Sequence, residues 1–77
     1  RPLDSLTLQN QVRFVDAYGD QLLLVFYDYA ILYHVNLDGK FIKVRKFSEA
    51  ENWTGVVLLK DVLAVQEQSG YVKFFAL

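Results

Sequence analysis

Two stretches of this chain share one apolar rhythm at a distance of forty residues. Leu22–Leu37 (LLLVFYDYAILYHVNL) and Val62–Leu77 (VLAVQEQSGYVKFFAL) align without a gap. Leu22, Leu24, Val25, Leu32 and Val35 face Val62, Ala64, Val65, Val72 and Phe75. Each copy reads as two apolar strands joined by a short turn, Asp28-Tyr29-Ala30 in one and Gln68-Ser69-Gly70 in the other. The match is one of pattern, with few identities.

The same offset extends outward. Phe14–Gln21 faces Thr54–Asp61, a strand ending in a turn. Leu3–Leu8 faces Lys43–Ser48, the segment that follows Asp38-Gly39. On this reading the whole chain, 1–77, is a single all-β segment. Residues 1–11 supply an outer strand, 12–48 a first set of four strands, and 49–77 a second set that lacks its last strand.

Taken in order, the elements follow from local chemistry. Leu3, Leu6 and Leu8 alternate with polar residues behind Pro2, which suits a strand start. Val12–Tyr18 is β-branched and aromatic, and Gly19-Asp20 ends it with turn chemistry. Leu22–Tyr27 is apolar throughout and too short for a stable helix, so it is expected as a central strand. Ile31–Leu37 pairs back on it. Asp38-Gly39 is the strongest hairpin signal, since both residues tolerate the positive φ of a two-residue primed turn. Phe41–Phe47 (FIKVRKF) alternates, with Ile42 and Val44 on one face and Phe41, Lys43, Arg45 and Phe47 on the other. Its cations mark it as an outer strand. Ser48 and Glu51 spell a capping box over Ser48–Trp53, enough for a single helical turn. Gly55–Leu59, Val62–Glu67 and Tyr71–Phe75 complete the second set.

Composition sharpens the picture. A chain of 77 residues buries little surface by itself. Yet 53% of its residues are hydrophobic and 16% aromatic. The runs at 22–27 and 56–59 are apolar on both faces, and such strands need cover on both sides. The chain is therefore expected to bury surface against further blades, other protein chains or copies of itself. A homo-oligomer is one form this takes. The net charge of −1 provides no global basic field, so nucleic acid is not the expected ligand. Cysteine is absent, which excludes a disulfide framework and a thiolate metal site. A cysteine-free chain fits a reducing compartment, and an intracellular location, cytoplasmic or nuclear, is expected. No apolar run reaches the ~18–20 residues of a membrane span. The chain opens on Arg1, which reads as a portion of a longer polypeptide.

A period of about 40–45 residues is that of a four-stranded propeller blade. The strand rhythm of LLLVFYDYAILYHVNLDGKFIKVRKF and VLAVQEQSGYVKFFAL resembles the second, third and fourth strands of successive blades in β-propellers of the WD-repeat, NHL-repeat or YWTD kind. The signatures themselves are missing. Tyr29-Ala30 and Ser69-Gly70 stand where a WD-repeat carries Asp-Gly, and Val35-Asn36 and Phe75-Ala76 where it carries Trp-Asp. The resemblance implies antiparallel four-stranded blades, about two of them, in a larger or oligomeric propeller. It also implies a platform for binding other proteins, and it carries no functional residues across.

His34 is the only histidine, has no partners for a metal site or a triad, and is expected to be structural or partly exposed. Asp16, Asp20, Asp28 and Asp38 fit no calcium-loop spacing and mostly occupy turns. Tyr27, Tyr29, Tyr33 and Trp53 are either contact anchors or packing residues. Of these, Tyr29, at a turn, is the one expected at a surface. Lys40, Lys43, Arg45 and Lys46 form a basic cluster with Phe41 and Phe47, a pattern that holds single-stranded nucleic acid in some proteins and is more often a solvated edge. Asn52-Trp53-Thr54 matches a glycosylation acceptor, relevant only in a secreted protein. No catalytic residues, metal site or cofactor are expected. Tyr29, Lys43, Arg45 and Lys46 make up the candidate interaction surface.

These observations favour a non-catalytic protein-interaction scaffold, a portion of a β-propeller in a multi-protein assembly. Two other readings compete. One is a self-assembling two-blade unit forming a lectin-like ring. The other is a small β-barrel that binds peptide or nucleic acid.

Overall fold

The computed structural model describes residues 11–77. These residues are all-β apart from one short turn, with two antiparallel sheets built as meanders. Strands β1 (Phe14–Tyr18), β2 (Gln21–Val25), β3 (Ala30–Val35) and β4 (Phe41–Phe47) form the first sheet in sequence order. A single 3₁₀ turn, Ala50–Asn52, leads into β5 (Trp53–Leu58), β6 (Val62–Glu67) and β7 (Val72–Ala76), which form the second. The expected strand at 3–8 lies outside the described residues. Among the described residues the strands stand in two sheets, one of four strands and one of three.

One face of each sheet meets the other. Leu23, Val25, Ala30, Leu32 and Phe47 of the first sheet pack with Trp53, Leu58, Leu63 and Val65 of the second, with Ala50 between them. Trp53, Leu23, Leu63, Val25 and Val65 are wholly buried. Each such aliphatic side chain contributes about 1.5–3 kcal/mol on leaving water. Phe47, Trp53 and Phe75 pack edge-on or tilted at mutual centroid distances of 5.2–5.9 Å. The opposite face of the first sheet holds a smaller cluster, Leu24, Phe26 and Tyr33. Leu22–Val25 therefore has cover on both faces, as an apolar run requires.

Turn chemistry explains the hairpins. Gly19 has φ +59° and Asp20 is not left-handed, so the β1–β2 turn has positive φ at its first central position only, as type II′ requires. The β3–β4 hairpin is present, but it is not the two-residue primed turn expected at Asp38-Gly39. Only Gly39 is left-handed, at φ +79°. Five residues, 36–40, separate the paired Val35 and Phe41. The Asn36 side-chain oxygen organises them, accepting from the Asp38 and Lys40 N–H groups at 2.9 and 3.0 Å. An asparagine that satisfies the loop internally makes the tighter turn unnecessary.

The forty-residue offset survives in the middle strands and slips in the flanking ones. Leu23 and Val25 correspond to Leu63 and Val65, all buried in the shared core. Pairing places Phe14 opposite Val25 and Val56 opposite Val65, so the first strands correspond as 14 to 56. Leu32 lies opposite Leu23 and Phe75 opposite Leu63, so the third strands correspond as 32 to 75. The pairings Leu32–Val72 and Val35–Phe75 are thereby corrected. The span from core residue to core residue across the β6–β7 hairpin is longer than across β2–β3, and the surplus sits around Gly70, at φ +95°.

Candidate interaction surface

The outer edge of the first sheet is β4, and its register decides which cations stand together. Leu32 pairs with Arg45, but Tyr33 pairs with Lys43, leaving Val44 as the extra residue of a bulge. Strict alternation predicts Phe41, Lys43, Arg45 and Phe47 on one face. The bulge breaks that set, because one unpaired residue inverts the facing of everything beyond it. Arg45 and Phe47 follow Leu32 and Ala30 toward the core side, while Phe41, Lys43 and Lys46 lie on the opposite face with Tyr33 and Ile31.

Tyr29 meets this edge from the β2–β3 turn, which closes with Phe26 N–H donating to Tyr29 C=O at 2.7 Å. Its ring stacks on Phe26 at 4.7 Å and lies 5.0 Å from Lys46 Nζ in cation–π geometry. Tyr29 is half-buried; its neighbour Tyr27, 67% exposed, is the tyrosine that projects from the turn. This reverses the expected order, because the turn is tight enough to fold Tyr29 back over Phe26.

Tyr29, Lys43, Arg45 and Lys46 nonetheless line one shallow groove of about 430 Å³, floored by Ile31 and Val44. A second groove of about 740 Å³ adjoins it across Tyr29, between Val12–Phe14 and the Tyr27–Tyr29 turn. The first groove is cationic with an apolar floor. Arg45 is the least available of its cations. Its guanidinium donates to Ala76 C=O at 2.7 Å and lies 4.7 Å over the Phe47 ring, joining β4 to β7 of the second sheet.

The other candidates are structural in placement. His34 Nδ1 lies 3.3 Å from Asp20 Oδ2 at the solvent surface. Among the described residues no group of three His, Cys, Asp or Glu side chains could hold a metal ion. Trp53 is fully buried, so it packs rather than projects. Tyr33 is buried against the outer face of the first sheet, and its phenol is pushed above the usual tyrosine range by burial and, secondarily, by the neighbouring Tyr29. Asn52 is exposed at the end of the 3₁₀ turn, where its C=O accepts from Gln68 N–H at 2.8 Å.

Two features escape a pattern reading. Arg13, just before β1, and Asp16, on it, each reach across to β5. Arg13 donates to Trp53 C=O at 2.8 Å, Ala50 C=O at 3.2 Å and Tyr27 C=O at 3.1 Å. Asp16 accepts from Leu58 N–H at 2.6 Å. Nothing in a polar side chain on an alternating strand announces a partner forty residues away. The other feature is the outer face of the second sheet. Val57, Ala64 and Phe74 run across it in register, and Val57, Val72 and Phe74 are more than half exposed. The doubly apolar run at 56–59 was the available signal.

Compared with known proteins, the chain matches no family model, no curated protein and no solved structure.

Proposed function

We propose that this chain is a non-catalytic protein-interaction scaffold, about two blades of a propeller-type stack that works in an intracellular assembly. Two features support the blade reading: the successive antiparallel meanders pack face to face, and their first strands, β1 and β5, run side by side along one margin. The observation that carries the interaction reading is the convergence of Tyr29, Lys43, Arg45 and Lys46 on one groove with an apolar floor. Lysines spaced along an edge, beside an aromatic ring and aliphatic side chains, suit a protein segment that combines carboxylates with an apolar anchor.

The test is fluorescence anisotropy with a labelled peptide rich in Glu and Asp and carrying one aromatic residue, against a neutral peptide of the same length. Binding of the acidic peptide that weakens with salt and is lost in a Lys43→Glu/Lys46→Glu double variant supports the groove as the contact surface. Equal binding of both peptides, or binding indifferent to the double variant, overturns it.

A further inference from the structure

We infer that Arg13 is a positioning residue of the groove: its guanidinium ties the turn that carries Tyr29 to the 3₁₀ turn and the start of β5, and so fixes the aromatic wall beside Lys46. Its effect on binding rests on the groove reading, whereas the placement of Tyr29 is measurable without any partner. Arg13 holds the β2–β3 turn at two points. Its backbone N–H donates to the C=O of Val25, the last residue of β2, at 2.7 Å, and its Nη1 donates to Tyr27 C=O at 3.1 Å. The same Nη1 donates to Ala50 C=O at 3.2 Å, and Nη2 donates to Trp53 C=O at 2.8 Å. Ala50 and Trp53 are wholly buried in the core common to both sheets, so the fork refers the turn to a close-packed, rigid point. The guanidinium also lies 5.1 Å over the Phe14 ring, which restricts its swing.

The turn is short enough to transmit this constraint. Phe26 N–H donates to Tyr29 C=O at 2.7 Å, so only Tyr27 and Asp28 lie between the bonded residues. The Tyr29 ring stacks on Phe26 at 4.7 Å, and Phe26 is itself buried, so ring and turn move together. A shift at Tyr27 C=O is therefore a shift of the Tyr29 ring relative to β4. There the ring meets Lys46 Nζ at 5.0 Å, a cation–π contact that weakens as the ring withdraws. Tyr29 and Lys46 both line the cationic groove, so the joint between the sheets sets the shape of the groove through one side chain. Asp16 provides the contrast. It joins the same margin at Leu58, the far end of β5, and its bonds go to Leu58 and Ala17 N–H, not to the turn.

The experiment reads the ε-methylene protons of Lys46 by NMR in the 77-residue chain without peptide, then the affinity for the acidic peptide by anisotropy. Protons over an aromatic face resonate upfield, so those of Lys46 should be shifted upfield in the wild type. Arg13→Lys keeps the charge and should return them toward the ordinary lysine position, with peptide affinity lowered about fivefold. Arg13→Met, which keeps the stem and removes every donor, should return them as well. Asp16→Ala, which loosens the other end of the margin, should leave both the resonances and the affinity at wild-type values. Circular dichroism checks that each variant is folded. Lys46 resonances that are unshifted in the wild type, or unchanged in Arg13→Lys, overturn the inference whatever the peptide does. An equal response to Asp16→Ala overturns it too, since that would be general loosening. Loss of the β spectrum in both Arg13 variants would make Arg13 a support of the whole fold and likewise overturn it. A wild-type chain that ignores the peptide overturns the groove reading instead, while the Lys46 resonances still decide whether Arg13 positions Tyr29.

Discussion

The carboxylate of Asp16 accepts a hydrogen bond from the backbone N–H of Leu58, at 2.6 Å, across the margin where the two sheets meet. The same side chain receives Ala17 N–H on its other oxygen at 2.9 Å. Leu58 is 3% exposed and belongs to the shared core, so its N–H has little access to water as a substitute. Hydrogen bonds to a charged group contribute about 1.5–3 kcal/mol, and a stranded buried donor keeps most of that penalty. Asp16→Ala should lower stability by about 1–3 kcal/mol, with Asp16→Asn intermediate. The midpoint of urea unfolding measures it. An unchanged midpoint in Asp16→Ala would show that the bond does not hold the sheets together.

Arg13 works beside it with a different geometry. Three carbonyls, from the β2–β3 turn, the 3₁₀ turn and the start of β5, converge on one guanidinium, a fork that an ammonium cannot reproduce. Arg13→Lys keeps the charge and should still destabilise, by about 1 kcal/mol given the partial exposure of the site. If charge alone mattered, the lysine variant would unfold at the wild-type midpoint.

Val25 tests the placement of the central strand. It is wholly buried, paired with both Phe14 and Ala30, and inside the core common to both sheets. Val25→Asp places a carboxylate there without a partner. An unpaired buried charge costs several kcal/mol, comparable to the whole stability of a small domain, about 5–15 kcal/mol. The variant should lose its β signal by circular dichroism. A folded Val25→Asp protein would mean that this strand does not lie at the centre.

How much of this was legible depended on whether a side chain acts locally. The inward set of Leu23, Val25, Leu63 and Val65 follows from strand periodicity, and the periodicity is plain in the sequence. Turn positions at Gly19, Gly39 and Gly70 were equally open, since left-handed backbone calls for glycine. The bulge at Val44 was not legible: FIKVRKF alternates well, and only its pairing to β3 shows that one residue is skipped. Arg45 consequently turns toward the core side, and a face expected to carry Lys43 and Arg45 together is divided. Arg13 and Asp16 stayed hidden for a related reason, their partners being backbone groups, which every residue has.

Tyr33 makes alkaline pH informative. Its phenol is raised above the ordinary value, first by burial and then by Tyr29, so the folded state holds the proton more tightly than the unfolded chain. The stabilising contribution is complete below the unfolded value near pH 10 and declines as pH rises through the higher folded value. Stability should therefore fall as pH climbs above about 10. Tyr33→Phe, which has no proton to lose, should flatten that decline relative to wild type in urea unfolding measured at successive pH values. Parallel declines in the two proteins would assign the alkaline loss to other groups.

Trp53 sets two effects against each other at the middle of the core. It is fully buried between Phe47 and Phe75, at centroid distances of 5.8 and 5.9 Å, and its indole Nε1–H has no acceptor among the described residues. A buried donor left unpaired costs about 1–3 kcal/mol. Removing a large aromatic side chain altogether costs about 3–5 kcal/mol through lost burial and the cavity left behind. Trp53→Ala should therefore be severely destabilising. Trp53→Phe keeps one ring in contact with both neighbours and deletes the orphan donor, so the two contributions offset, and its net loss should stay below about 2 kcal/mol. Trp53 is the only tryptophan, which makes the wild-type reference convenient: its emission should shift to longer wavelength on unfolding as the ring enters water. The variants lack that probe, so all three proteins are compared by circular dichroism in urea. If Trp53→Phe proved as damaging as Trp53→Ala, volume alone would govern the site, and the unpaired N–H would carry no measurable penalty.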